Sequence, residues 1–394
     1  MWLCASESRC NTVKITLHYP AYYRNFSCIG GQCEATCCAG WEISIDRPSM
    51  KTYRRARGAF GKKLKAAINT KEMRFNTEAG HCPMLNGRGL CEIYRVLGVE
   101  KMCRTCRIYP RHMEDYGRLR EIMLSLSCPE AARIILGNKE SFSIYSRRCF
   151  RKLALKQADT GISEARLKRL LGLRGKLFYI LGQKQMPLSQ RLEETLKVVA
   201  GQNRPHRLEA LRGGPAYAPG LFEKGGQGER IAKAACGPEI DAYMDMLLAL
   251  EPVTRTWRPF LTESIALLKS EKNLREHWDS FRREVRENAK MYENLAAHYL
   301  YMYFAGAVYD KEEYKWSALI KTKLMIFHVL ILYRLHYAQW LRGNGGLGGL
   351  VSAVWIYSRQ MDHSDTNLEA LEELLGRHPL FSVSRLTKQL GEIL

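Results

Sequence analysis

Nine cysteines carry the first chemistry this sequence offers: Cys28, Cys33, Cys37 and Cys38, then Cys82 and Cys91, then Cys103 and Cys106, and last Cys128. Thiolates are soft ligands, and Cys103-Arg-Thr-Cys106 has the spacing by which one tight turn offers two of them to a single metal. A lone CxxC says little. Eight cysteines between Cys28 and Cys106, interrupted by Gly and Pro turns, make a framework for metal. Arg88, Arg95, Lys101, Arg104, Arg107 and Arg111 lie among or beside them. Neighbouring positive charge lowers a thiol's pKa toward the thiolate that a metal needs. Zinc favours paired short knuckles, whereas here one CxxC is joined by cysteines at irregular spacings. That pattern suits a [4Fe–4S] cluster at least as well, so the cluster is the first expectation and zinc the second. Cys4, Cys10, Cys149 and Cys236 stand apart and read as small buried hydrophobes.

These thiols must be held by an irregular scaffold. The chain reads as mainly α: an irregular, cysteine-rich metal-binding part over 1–150, followed by an all-helical domain over 151–394. Glycines punctuate the first part, and only Trp41 to Asp46 reads there as a strand or extended arm. Pro129 suits a first helical position, so Ser127 or Cys128 should precede a helix from Glu130 to Leu136. Beyond Ser146 helical spacing takes over, at Ser163–Leu181, Ser189–Ala200, Glu229–Leu250 and Glu284–Phe304. Glu312–Leu341 is apolar almost all round in its middle and predicts a buried central helix. Gly343–Gly349 predicts a mobile connector, and Val351–Met361 and Asn367–Leu375 two further helices. Gly201–Gly228 predicts the chief loop or linker.

A formal net charge of +21 favours an acidic partner and says nothing about fold. The N-terminus lacks the basic start and apolar run of a secretory signal. The most apolar stretch, Leu324–Tyr333, is about half of what a bilayer requires. A cytoplasmic protein with no membrane partner is therefore expected. In that compartment thiols stay reduced, which again favours metal over disulfides.

At these residues a resemblance becomes specific. Phe26-Ser-Cys28 through Cys33, Cys37-Cys38 and Trp41 resembles the flagellin lysine-N-methylase family. So do Cys82-Pro-Met-Leu-Asn86, Leu90-Cys91-Glu-Ile-Tyr94, Cys103-Arg-Thr-Cys106-Arg-Ile-Tyr-Pro-Arg111 and Leu126-Ser-Cys128-Pro-Glu-Ala-Ala-Arg133. The cysteine core alone also resembles a broader group of zinc- or iron-chelating domains. Two distal segments narrow the choice. Tyr299-Leu-Tyr301-Met-Tyr303-Phe304 to Asp310 is similar to the family's aromatic helix. Tyr357 to Glu369, with Asp362-His363-Ser364-Asp365, is similar to its late acidic–histidine motif. Where the family usually has Glu-His-Ser, this chain has Asp362.

The resemblance implies methyl transfer from S-adenosylmethionine to lysine ε-amines of flagellin, an acidic protein substrate. A neutral amine is nucleophilic, so displacement at the sulfonium methyl needs chiefly deprotonation and alignment. Cys33-x3-Cys37-Cys38 is not the CxxxCxxC triad of radical S-adenosylmethionine enzymes, so a radical route is disfavoured. The cluster is then structural or helps to anchor the cosubstrate. No Gly-rich turn follows a strand in the manner of a doubly wound methyltransferase. His363, Asp362, Tyr301 and Tyr303 are the candidates for catalysis, with Tyr299 and Tyr309 beside them. Asp365, Asn367 and Arg111 are the candidates for holding the cosubstrate. Ser364 or Asp365 would equally serve to cap the helix near Asn367. Two other readings compete: a metal carrier or electron-transfer module, and a nucleic-acid-binding zinc protein. The second lacks finger spacing and a basic helix after the knuckle, so nucleic acid is a poor partner.

Overall fold

The structure is a computed structural model that describes residues 12–39, 41–76, 80–152, 161–203, 239–270, 274–310 and 313–393. Cys4, Cys10 and Cys236, most of the expected linker and the first residues of the Glu229–Leu250 helix lie outside the described residues.

The chain opens with β1 (Thr12–Pro20), followed by α1 (Arg47–Arg54), α2 (Gly58–Ala66), β2 (Ile68–Asn69), β3 (Arg74–Phe75), α3 (Glu92–Leu97) and α4 (Arg104–Ile108). Then come β4 (Arg111–Tyr116), β5 (Leu119–Leu124), α5 (Pro129–Leu136) and β6 (Ile144–Lys152). In β1, Ile15, Leu17 and Tyr19 are buried and alternate with Lys14, Thr16 and His18, the period of two that a half-buried strand requires. It pairs parallel with β5 and antiparallel with β6, giving a sheet of order β4-β5-β1-β6. The expectation of an irregular N-terminal part is corrected here. A four-stranded mixed sheet frames the cysteine loops, and β6 carries it across residue 150. Trp41–Asp46 stays an extended arm, with one bridge from Ser44 to Arg74. Cys128 precedes α5 and Pro129 takes its first position, as the sequence predicts.

The described residues beyond β6 are mainly helical: α6 (Glu164–Leu181), α7 (Leu188–Ala200), α8 (Glu239–Ala249), α9 (Trp257–Ser270) and α10 (Leu274–Glu287). Next come α11 (Lys290–Tyr303), α12 (Tyr314–Leu341), α13 (Gly346–Asp362), α14 (Asp365–Arg377) and α15 (Val383–Ile393). The central helix is α12, buried without a break from Leu324 to Leu335. The single helix expected over Glu284–Phe304 is two, broken where the Asn288 amide turns back to the Glu284 carbonyl at 2.9 Å. Ser364 caps α14, its hydroxyl accepting from the Asn367 N–H. Among the described residues no helix is long and apolar enough to cross a membrane.

Among the described residues two buried apolar clusters result. The larger joins β1, β5 and α5 to the helices, from Ile15 to Leu390. The smaller packs Ile43, Ile45, Tyr53, Leu64, Phe75 and Met84 around Cys38, Cys82 and Cys103. Burial of this kind stabilises by about 25 cal/mol per Å² of apolar surface, so the cysteine loops rest on a core of their own.

The Gly343–Gly349 segment is not the expected connector. Glu284 accepts from the Gly346 N–H at 2.6 Å and from Trp340 Nε1 at 2.8 Å, and the last glycines already belong to α13. Glycine is required there because the turn leading into α13 folds back onto it and α12 packs beside it. A Cβ on Gly349 would lie 1.9 Å from the Asn344 carbonyl oxygen and 3.2 Å from His336. Gly349→Ala should therefore lower stability by about 3 kcal/mol, the scale of an overpacked core. A thermal melt within a degree of the parent would refute this close approach.

Candidate functional site

The late acidic–histidine motif occupies the last turn of α13, where it meets the loop joining β5 to α5. Asp362 is half-buried there. Its Oδ1 accepts from the Tyr303 hydroxyl at 3.0 Å and its Oδ2 from Ser125 Oγ at 3.1 Å. Burial pushes its carboxyl up to about 6, against the two hydrogen bonds and the nearby His112, which pull it down.

From Asp362 a chain of hydroxyls leads to His363. Ser125 Oγ and Ser127 Oγ are 2.6 Å apart. Ser127 Oγ lies 3.1 Å from His363 Nε2 and 3.0 Å from the Tyr109 hydroxyl. Ionised carboxylates only accept, and a serine has one proton to give. With Asp362 ionised, the Ser125 proton points to Asp362 and the Ser127 proton must then point to Ser125. Tyr109 and His363 Nε2–H are left to donate to Ser127. His363 is thereby held as its Nε2–H tautomer, with Nδ1 an acceptor that has no hydrogen-bond partner among the described residues. Its ring packs against Trp41 at 5.1 Å and Tyr109 at 6.2 Å between centroids. Burial, with help from Arg359, lowers its pKa to about 4 and keeps it neutral.

The aromatic helix α11 feeds this site from one face only. Tyr303 reaches Asp362, and Tyr299 stacks on Tyr303 and on His328 at 5.9 and 4.5 Å. Tyr301 points the other way, its ring 5.0 Å from the Arg174 guanidinium, which is itself paired with Glu121 at 2.7 Å. Tyr309 donates to the Asp115 carbonyl at 3.0 Å. Of the residues expected to hold a cosubstrate, Asp365 is exposed in the first turn of α14. Asn367 is buried, its Nδ2 donating to the Glu251 and Gln360 carbonyls at 2.9 and 3.3 Å. Arg111 lies over the rings of Tyr23 and Phe26 at 5.8 and 5.2 Å. A cavity of about 430 Å³ near Arg169, Lys176, Tyr314 and Lys315 is lined by none of these candidates.

The cysteines divide into two groups. Cys37, Cys38, Cys82, Cys91, Cys103 and Cys106 gather in the smaller core, and Cys128 belongs to the larger one. Cys38 hydrogen-bonds with Cys37 and Cys91; the bond with Cys37 dominates and pushes its thiol up to about 12. Cys103 and Cys106 pair at α4, the bond holding Cys103 below the usual thiol range and Cys106 well above it. Burial raises Cys82 and Cys128 to about 11. Cys28 is exposed, and with Cys33 it lies near enough to Cys128 for their charges to be felt. All nine are free thiols. Among the described residues no three or more His, Cys, Asp or Glu side chains form a group that could hold a metal ion. The donor chemistry of the six nonetheless suits a soft or borderline metal: Cys38 bonds with Cys37 and Cys91, and Cys103 with Cys106, in one apolar nest with Cys82, and a metal would have to deprotonate them.

Sequence reasoning missed Ser125, Ser127, Tyr109 and Trp41 as partners of Asp362 and His363, and Arg359 as the residue that holds the Ser127 carbonyl. Three of them lie inside the cysteine motifs, a signal that the loops pack on the late motif.

Sequence comparisons relate the chain to known proteins. Residues 239–388 match the family described as the FliB lysine N-methylase C-terminal domain, which includes α11 to α14 and the whole late motif. The flagellar biosynthetic protein FliU of Salmonella muenchen is 32% identical over 158 residues, 35% of this chain and 94% of that protein. The lysine-N-methylases of Salmonella choleraesuis and Salmonella typhimurium are each 29% identical over 140 residues. Those matches cover 33% of this chain and 35% of each relative, so the chain aligns with about a third of their length. No solved structure matches.

Proposed function

The chain belongs to the flagellin lysine N-methylase family, and from that premise we propose that it transfers methyl groups from S-adenosylmethionine to lysine ε-amines on flagellin. One observation carries the reading: the family's late motif is built into a half-buried carboxylate–hydroxyl–imidazole chain, joined through two buried serines, rather than left as surface. Asp362, Ser125, Ser127 and His363 form a site that can order protons, and a lysine amine must lose one before it attacks. The step itself is polar. The amine lone pair forms the N–C bond, the S–C bond breaks, and its electron pair leaves on sulfur as S-adenosylhomocysteine. Tyr303 and Tyr299 line the side of the carboxylate on which an ammonium group would find a negative charge and aromatic faces.

The six thiols from Cys37 to Cys106 are the proposed holders of a [4Fe–4S] cluster, with zinc as the second choice. When bound, the metal would crosslink loops that otherwise rest on a small core. The net charge of +21 favours an acidic protein as partner. A metal carrier would have no use for the helices that present the late motif.

The test is flagellin incubated with anaerobically purified protein and S-adenosylmethionine, read by mass spectrometry. Lysine residues should gain whole methyl increments without added reductant. Formation of 5′-deoxyadenosine would refute the polar route, and no gain with metal-replete protein would remove the function. In the same preparations Cys103→Ser should lose most of its metal, whereas Cys128→Ser should keep it. Equal loss from both would mean that the two thiol groups act as one.

A further inference from the structure

We infer that Arg359 is the positioning residue that fixes the loops carrying Cys33–Cys37 and Cys128 against the Asp362–His363 site. Arg359 is buried on α13, one turn before His363, so it shares a face with Asp362 and His363. Its Nε donates to the Ser127 carbonyl at 3.1 Å. Its Nη2 donates to the carbonyls of Ala35 and Thr36 at 3.1 and 3.3 Å. Trp355 supports the guanidinium from one side at 4.8 Å. Three carbonyls from two loops distant in sequence thus converge on one planar cation. The first loop lies between Cys33 and Cys37; the second ends on Cys128. Both are turn-rich segments with no ladder to hold them, and buried carbonyls need donors.

Only arginine fits this place. Its fork spans carbonyls on two sides at fixed angles, whereas a lysine offers one nitrogen on a flexible stem. The same Ser127 whose carbonyl Arg359 holds presents its hydroxyl to His363. Arg359 therefore sets the distance on which the proton order of the site depends, while touching none of its side-chain atoms. By contrast, none of these three bonds from Arg359 goes to α4, where Cys103 and Cys106 sit and whose Arg104 N–H donates to the Asp46 carboxylate at 2.6 Å.

The thiol part of this inference stands by itself; its consequence for catalysis rests on the function proposed above. The experiment is alkylation of the full-length, metal-free protein with iodoacetamide, each cysteine followed by mass spectrometry. In Arg359→Gln, Cys33, Cys37 and Cys128 should react about tenfold faster or more, because their loops open locally, while Cys103 stays within about twofold. Arg359→Lys should fall between the two, and it also serves if the glutamine variant does not fold. Parallel assays should show kcat lowered by about tenfold or more with the KM for flagellin little changed, the mark of a lost arrangement and not of lost binding. Unchanged alkylation would overturn the inference, as would equal acceleration at Cys103, which signals general loosening. If the alkylation pattern appears but the parent protein methylates nothing, the methylase reading falls and the positioning role remains.

Discussion

Asp362→Asn is expected to abolish most methyl transfer while making the folded protein more stable at neutral pH. The two effects have one cause. Burial raises the Asp362 carboxyl to about 6 from its ordinary value of 3.8. The folded state therefore holds a proton more tightly than the unfolded chain does. Stability from this group is highest below pH 4 and is lost as pH rises through 6, because the carboxylate must then ionise inside the protein. At pH 7.5 the cost is about 3 kcal/mol, from some two pKa units at about 1.4 kcal/mol each. Asparagine has nearly the same shape, keeps an oxygen for the Tyr303 hydroxyl and carries no charge. Urea unfolding at pH 7.5 should find the variant about 2 kcal/mol more stable, with the advantage vanishing toward pH 4. The activity loss follows from proton direction. The asparagine Nδ2 donates where the carboxylate accepted, so the Ser125 and Ser127 protons must turn toward His363 and favour its other tautomer. A fall of about 100-fold or more in kcat is the expected scale for a misdirected acid–base chain. A destabilised variant, or one with normal turnover, would remove Asp362 from its assigned place.

How much of this was legible in the sequence depends on the range of the signal. The helices of the second half were readable because their apolar spacing is local, and Ser163, Ser364 and Pro129 mark starts that the structure uses. β1 was as readable, since Ile15, Leu17 and Tyr19 alternate strictly with polar residues, but the turn-rich composition around it drew attention away. Its parallel pairing with β5 was not readable: the partner lies about a hundred residues away, and no local pattern encodes which strands meet. The split between Tyr301 and Tyr303 follows from helix geometry alone, since residues two apart face nearly opposite sides of a helix. The resemblance pointed to Asp362 and His363, but their partners come from loops whose positions only tertiary packing sets. Serines such as Ser125 and Ser127 carry no special spacing. They matter because Arg359 and α5 put them there. The Gly343–Gly349 run misled for a related reason: glycine marks close approach as readily as it marks a loop.

Acid should unfold this protein steeply between pH 6.5 and about 5, before ordinary carboxylates titrate. Among the described residues, three of the four buried histidines are paired to a buried tyrosine: His298 with Tyr22 at 2.6 Å, His328 with Tyr357 at 2.7 Å, and His336 with Tyr292 at 2.9 Å. Among the described residues, His298 and His328 have no hydrogen-bond partner for Nε2. Burial lowers their pKa values to about 3, 3 and 4. A depressed folded-state pKa means that the unfolded chain binds protons more readily below 6.5. Stability from these groups is therefore complete above that pH and is lost as pH falls toward 4. At pH 5.5 each is one unit below the unfolded value and costs about 1.4 kcal/mol, or about 4 kcal/mol for the three. That is a large share of the roughly 5–15 kcal/mol that holds a typical domain together. His363 adds to the loss. Asp362 and His112 work the other way, the first by less than about 1 kcal/mol over this interval because most of its titration lies lower. Urea midpoints at pH 7.5 and 5.5 measure the difference directly. His328→Gln should reduce the pH dependence by about a third, since a neutral amide replaces one of three equivalent burdens. A midpoint that does not move between the two pH values would mean that these rings are hydrated and charged in the folded protein, and that the buried Tyr–His pairs do not exist as described.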